Sequence, residues 1–514
     1  MNKDLRSLVL TLLPIWMLVW TSAYLNPQSD SAFAGPSARE SYVITGAGIV
    51  DGSGSRAFEG SVRVEGDLIT EVGRFKPGPN ERVIDARGLI LAPGFIDIHN
   101  HSAGELDNNP TAESQISQGI TTVVLGPDGG SAFPIKDFLA GREEHPAAVN
   151  VLTFVGHATV RQRVLGSDYK RAATAQEIEK MAELVEQGMR DGAFGLSTGL
   201  EYDVGHPSTT EEIITLARVA ARYRGIYMSH IRDEADLVMS ALEEAIRIGE
   251  EARLPVQISH IKLGTVGVWG KTRQAIELIN QARKRKVDIT ADCYPYDAWA
   301  STITVLVPSR KHTDPEMVKK GLDDVGGPQN VTIVNCRSHP EYEFKNLEEI
   351  AREKKTTAVQ VYIDIVKDGG AGVVCRSMKE SDIRAFYQQP WVMVASDGGI
   401  GVRHPRGAGT FPRVLGLYVR ERRWLTLEQA IRKMTSLPAS RLNLKDRGLI
   451  RKGMKADLVL FDPDKVIDRS TFKEPQLLSE GIIKVFVNGE MVWDQGKSTG
   501  KRPGRVIRNA AHKP

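Results

Sequence analysis

Eight β-rich stretches alternate with amphipathic helical stretches through the middle of the chain, and further short strands lie at both ends. With 514 residues to pack, these observations predict an α/β fold. The expected architecture is a (β/α)8 TIM barrel, with a small β-sandwich domain formed by both termini and an inserted lid subdomain. An open doubly wound sheet fits the alternation alone, so the barrel rests on the count of eight.

The end strands come first. Residues 41–50 are β-rich and stop at Asp51-Gly52-Ser53-Gly54; residues 61–64 and 68–72 alternate around Gly66-Asp67, a hairpin signal. The pattern returns at 456–461 and 481–487, where Asn488-Gly489 supplies a tight turn before 490–493. The β domain is therefore expected in two parts, 41–93 and 448–510, around a barrel at 94–447.

The eight barrel strands are expected at 95–101, 119–125, 150–155, 193–197, 226–230, 255–260, 287–292 and 391–397. Three intervening segments read as helices. Residues 174–190 and 209–224 each open with a Thr and a Glu three residues on, the capping-box pattern, and 233–253 carries Leu237, Ala241, Leu242, Ala245 and Ile248 at helical spacing. The interval before the last strand, about 297–390, is too long for a bare loop. It reads as an inserted subdomain able to cover the barrel mouth.

Residues 1–34 read as an export signal. Lys3 and Arg6 precede an apolar run at 8–20, and Ala32-Phe33-Ala34 offers a small-x-small cleavage pattern, with a second site after Ala23. The run is shorter than the ~20 apolar residues of a bilayer span, and no cysteine follows it for lipid attachment. The expectation is an exported enzyme, periplasmic or secreted, without stable membrane association once the signal is removed. With 67 basic and 64 acidic residues, the formal charge of +3 gives no electrostatic case for nucleic acid. A basic tail (Lys497, Lys501, Arg502, Arg505, Arg508) reads as a solvated end. Cys293, Cys336 and Cys375 lack metal-ligand spacing and allow at most one disulfide; each reads as a free buried thiol.

Chemistry concentrates at strand ends. In Asp97-Ile98-His99-Asn100-His101, alternate residues share a face, so His99 and His101 can both reach the barrel mouth. His230, His260 and Asp397 close three other strands. The C-terminal strand ends of such a barrel form the active-site face. Any one of these histidines alone is more readily a structural residue. Four out of 11 histidines at such ends, with an aspartate, point to a zinc-type metal site.

The chain resembles the amidohydrolase superfamily, and within it the D-aminoacylase (N-acyl-D-amino-acid deacylase) family. The resemblance runs from about residue 43 to the C-terminus. It rests on the run from Pro93 to His101, Gly195-Leu196-Ser197-Thr198-Gly199-Leu200-Glu201-Tyr202, His230-Ile231-Arg232-Asp233-Glu234 and Ile258-Ser259-His260-Ile261-Lys262. Tyr294-Pro295-Tyr296, Ser396-Asp397-Gly398 and the stretch from Gly407 to Arg413 add to it; Gly453-Met454-Lys455-Ala456-Asp457-Leu458-Val459 is less specific. The resemblance implies that His230 and His260 hold a tightly bound zinc, that His99, His101 and Asp397 form a second metal position, and that Asp397 is the general acid/base. It implies that Tyr202 and Lys262 hold the α-carboxylate of a small-molecule substrate. Tyr202 could instead pack on the rim, and Lys262 could pair with a surface acid. Arg232 is a further candidate for substrate contact, or a local ion pair with Asp233 and Glu234.

One departure stands out. Where the family commonly has a zinc-binding cysteine after the second strand, this chain reads Gly126-Pro127-Asp128-Gly129. Asp128 is either a carboxylate ligand, harder and weaker for zinc than a thiolate, or a turn residue. The implied reaction is zinc-dependent hydrolysis of the amide of an N-acyl-D-amino acid, with one or two ions. The alternatives are a dipeptidase releasing a C-terminal D-residue and a degenerate barrel that binds without hydrolysis.

Overall fold

The computed structural model describes residues 41–512; the export-signal segment lies outside them. Eight parallel strands form the barrel: Phe95–Asp97, Ile120–Leu125, Asn150–Thr153, Gly195–Gly199, Ile226–His230, Val256–Ile258, Ile289–Cys293 and Val392–Val394. The ring closes between the last and first strands, where the Asp397 N–H donates to the His99 carbonyl (3.0 Å) and the His101 N–H to the Gly398 carbonyl (2.7 Å). Val124, Leu152, Met228 and Met393 fill the interior, and the outward faces pack beneath the helices.

The strands near both ends merge into one nine-stranded sheet, joined where Ile90–Pro93 runs antiparallel to Leu458–Phe461. Tyr42, Ile44, Val62, Leu458 and Phe486 belong to its own core. Both expected hairpins are present, and at Asn488-Gly489 both φ angles are positive (49° and 83°), as a two-residue hairpin turn requires.

Among the helices, Ala175–Asp191 carries the full capping box between Thr174 and Glu177. Thr210–Arg222 has only half of one. Thr209 accepts from the Glu212 N–H, but the Glu212 side chain turns inward to Arg161 and His157. Fully buried Arg161 presents a charge that outcompetes the exposed N-cap amide for that carboxylate.

Between the last two barrel strands, Trp299–Thr302, Val331–Asn335 and Gly372–Cys375 make a separate antiparallel sheet. Helices Pro315–Asp324, Leu347–Lys354 and Ala358–Lys367 join it around a core of their own, including Val318, Ile333, Leu347, Tyr362 and Val373. The inserted unit is thus shorter than the interval 297–390, because helix Glu380–Tyr387 packs Ile383 and Phe386 into the barrel core. All three cysteines are buried and free. No helix among the described residues is long and apolar enough to cross a membrane.

Candidate metal centre

The first and last strands fix one half of the site. Buried Asp97 accepts from the Ser396 N–H (2.8 Å), the Ser396 hydroxyl (2.5 Å) and the Asn100 side-chain amide (2.8 Å), which locks the His99 strand end against Asp397. His99 Nε2 and His101 Nε2 lie 3.2 Å apart, and Asp397 Oδ1 lies 3.4 Å and 3.2 Å from them.

Asp128 joins this group from a turn whose Gly129 N–H donates to the Ser197 hydroxyl at 3.2 Å. Its φ of 55° is left-handed, which aspartate tolerates better than most residues. Oδ2 lies 3.3 Å from His99 Nε2 and 3.5 Å from His101 Nε2, while Oδ1 lies 3.5 Å from His260 Nε2. Asp128 Oδ1 is also buried with no hydrogen-bond partner. Asp128 therefore occupies a turn and also faces the histidines.

The other half comes from the fifth and sixth strands. His230 Nδ1 lies 3.1 Å from His260 Nε2 and 3.2 Å from the Tyr202 hydroxyl. The backbone N–H of His260, itself at φ 33°, donates to Asp292 Oδ1 at 2.7 Å. Two of the histidines have a carboxylate hydrogen-bonded behind the ring: Glu201 at 2.7 Å from His230 Nε2 and Glu234 at 3.0 Å from His260 Nδ1. Asp292 stands behind His99 Nδ1 at 3.9 Å, beyond hydrogen-bond range. Such acids orient metal-binding imidazoles and raise their basicity.

These residues fit a divalent cation. Among the described residues, His99, Asp128, His260 and Asp397 present ligand atoms within 4.8 Å of one another, and so do His230, Glu234 and His260. The local charge calls for cations. Burial pushes the His101 imidazole down, but hydrogen bonds to Asp128 and Asp397 reverse this and raise it to about 9. Burial and Lys262 push His260 down, and Asp397, Glu234 and Asp128 together carry it up to about 10. An imidazole and carboxylate donor set of this kind suits zinc.

Of the remaining expected residues, Tyr202 and Lys262 line the cavity beside this centre. The Lys262 ammonium donates to both Glu234 oxygens at 2.6 Å and lies 2.7 Å from His260 Nδ1. It pairs with an acid, but a half-buried one inside the site. Arg232 does not join the site, correcting its place among the substrate contacts. Its guanidinium forks onto Glu244 at 2.8 Å in two bonds and caps the His206 carbonyl at 2.9 Å, which uses its donors in a different direction.

Four participants carry no isolated sequence signal: Glu201, Glu234, Asp292 and Arg406. Arg406 Nη1 lies 2.6 Å from Asp397 Oδ2. Burial pushes the Asp397 carboxyl up, and the Arg406 charge with His260 and His101 outweighs it and holds the group well below the ordinary carboxylate range.

A family model described as the amidohydrolase family matches residues 82–493. The chain belongs to the amidohydrolase family. It is 37% identical over 496 residues to an N-acyl-D-aspartate deacylase of Alcaligenes xylosoxydans xylosoxydans, covering 91% of this chain and 95% of that protein. It is 36% identical over 494 residues to a D-aminoacylase of the same organism, covering 91% and 98%. Among solved structures, the N-acyl-D-glutamate deacylase of Bordetella bronchiseptica, complexed with zinc and a phosphonate mimic of the tetrahedral intermediate, superposes with a TM-score of 0.83 at 34% identity. That match covers 91% of this chain and 99% of that one.

Proposed function

We propose that this amidohydrolase cleaves the amide of N-acyl-D-amino acids, releasing a carboxylate and a free D-amino acid. The observation that carries the reading is the convergence of His99, His101, Asp128, His230, His260 and Asp397 on one barrel face. It is supported by relatives at 34–37% identity that are deacylases of such compounds.

When bound, zinc supplies a Lewis acid that polarises the amide carbonyl and makes water a better proton donor. The protein supplies the proton transfers and the positioning. Asp397 Oδ1 faces the histidines and takes the proton of the attacking water, then returns it to the leaving nitrogen. Arg406 on Oδ2 keeps that carboxylate ionised and fixed in orientation. Tyr202 and Lys262, at the cavity wall, receive the α-carboxylate of the substrate. The intact donor set favours catalysis over a binding-only barrel.

The chain is further proposed to be exported, on the charged start and apolar run of residues 1–34. Sequencing the mature N-terminus from the native cell is expected to give a start after Ala23 or Ala34, and an intact Met1 on soluble protein contradicts export. For the activity itself, stripping metal with a chelator is expected to abolish hydrolysis of N-acetyl-D-amino acids, and added zinc to restore it. Full turnover by metal-free protein overturns the reading.

A further inference from the structure

The barrel mouth is divided by Tyr202 and Asp397, which border two lobes. The first lies between the strand ends and the inserted unit. Its far wall is apolar, made by Trp299, Val305, Leu306, Pro308 and Val325 of the insertion. Its ionised groups do not offer a spare positive charge. Of the cationic side chains on its wall, His260 faces the metal centre, and Lys262 is shared between Glu234, through both carboxylate oxygens, and the α-carboxylate assigned to it above, so neither is left for a second acid. Arg310, two residues past Pro308, is turned to Asp203 and to the Glu201 carbonyl. Glu201, Glu234 and Asp324 add negative charge to the same wall.

Resting on the deacylase reading above, we infer that this lobe takes the side chain of the D-amino acid and selects for an apolar one. The substrate class is N-acyl derivatives of neutral, apolar D-amino acids such as D-leucine or D-phenylalanine, and D-aspartate and D-glutamate derivatives are disfavoured. The placement follows from Tyr202 and Lys262. They line this lobe, so an α-carboxylate held there sets Cα at its entrance and directs the side chain toward Trp299 and Leu306. A second carboxylate carried inward would lose its water against apolar walls and meet acids in place of a guanidinium. An aliphatic or aromatic group gains from the same desolvation. The amino-acid specificity therefore diverges from that of the aspartate deacylase, despite 37% identity to it.

The test compares kcat/KM of the zinc-loaded chain for N-acetyl-D-leucine, N-acetyl-D-phenylalanine, N-acetyl-D-aspartate and N-acetyl-D-glutamate, with N-hexanoyl-D-alanine beside N-acetyl-D-alanine. The apolar D-residues are expected to exceed the acidic ones by on the order of 100-fold. Val305→Arg, at a half-buried lining position, is expected to narrow that ratio by tenfold or more, by placing a cation in the lobe. Equal or faster turnover of the acidic substrates overturns the inference and leaves the deacylase reading intact. A gain from the longer acyl chain with indifference to the side chain also overturns it, because the lobe then holds the acyl group. Failure to hydrolyse any of these compounds overturns the deacylase reading. Calorimetry of the same ligands on the zinc-loaded chain then decides the lobe: tighter binding of N-acetyl-D-leucine than of N-acetyl-D-aspartate supports it, and equal affinity refutes it.

Discussion

Replacing Asp128 with asparagine separates a metal ligand from a turn residue. The backbone there sits at φ 55°, a region asparagine enters as readily as aspartate, so the turn survives the change. What is lost is one negative charge facing His99, His101 and His260 across gaps of 3.3–3.5 Å. Over about 4 Å at an effective dielectric near 20, one unit charge acting on another is worth about 4 kcal/mol. The amide oxygen recovers part of this as a neutral donor, leaving a net loss of about 2–3 kcal/mol. Zinc affinity is expected to weaken by about 30- to 150-fold. The assay is competition with a chromophoric chelator, alongside circular dichroism and kcat at limiting and at saturating zinc. Activity is expected to fall at limiting zinc and to recover in part at excess. Zinc affinity within twofold of the parent, with full activity, refutes the ligand role and leaves Asp128 as a turn residue alone.

Three further outcomes are expected. Asp397→Asn should lower kcat by about two orders of magnitude or more, with the fold intact; near-normal turnover by metal-loaded protein rejects its proton-transfer role. Lys262→Met should reduce kcat/KM for N-acetyl-D-amino acids far more than for their α-amide analogues, and equal losses would show that its pairing with Glu234 is its whole function. Glu212→Gln leaves fully buried Arg161 without its charged partner and should cost about 3–5 kcal/mol in urea unfolding. Burial pushes the Glu212 carboxyl up, but His157 and Arg161 outweigh it and lower the group. Its contribution is therefore present above the unfolded value near 4.3 and lost as pH falls through the lower folded value. The variant should accordingly show a flatter loss of stability between about pH 4.5 and the acid limit, and an unchanged acid limb would exclude Glu212 from that role.

Four of the eight barrel strands were legible as short apolar runs that lead into a functional polar residue. His99, His101, His230, His260 and Asp397 all mark strand ends, and all face one centre. The acids behind the histidines were not legible. Glu201 reaches His230 from 29 residues away, and the Asp292 carboxylate accepts from a backbone amide 32 residues distant; the parallel pairing of neighbouring strands brings them together. Arg232 illustrates the opposite error. The adjacent Asp233 and Glu234 suggested a local pair or a substrate contact, yet the guanidinium runs along the helix that follows and meets Glu244. The end of the insertion was hidden because an amphipathic helix shows that it has an apolar face without showing which core receives it. Helix Glu380–Tyr387 gives that face to the barrel.

The most direct test of the account is stereochemical. Hydrolysis of N-acetyl-D-leucine and N-acetyl-L-leucine by the zinc-loaded chain is followed by detection of the free amino acid. Release of D-leucine is expected at a kcat/KM at least about 100-fold above that for the L-enantiomer, and Asp397→Asn is expected to lower it by about two orders of magnitude or more. Preferential release of L-leucine, or turnover unaffected by the loss of Asp397, contradicts the account.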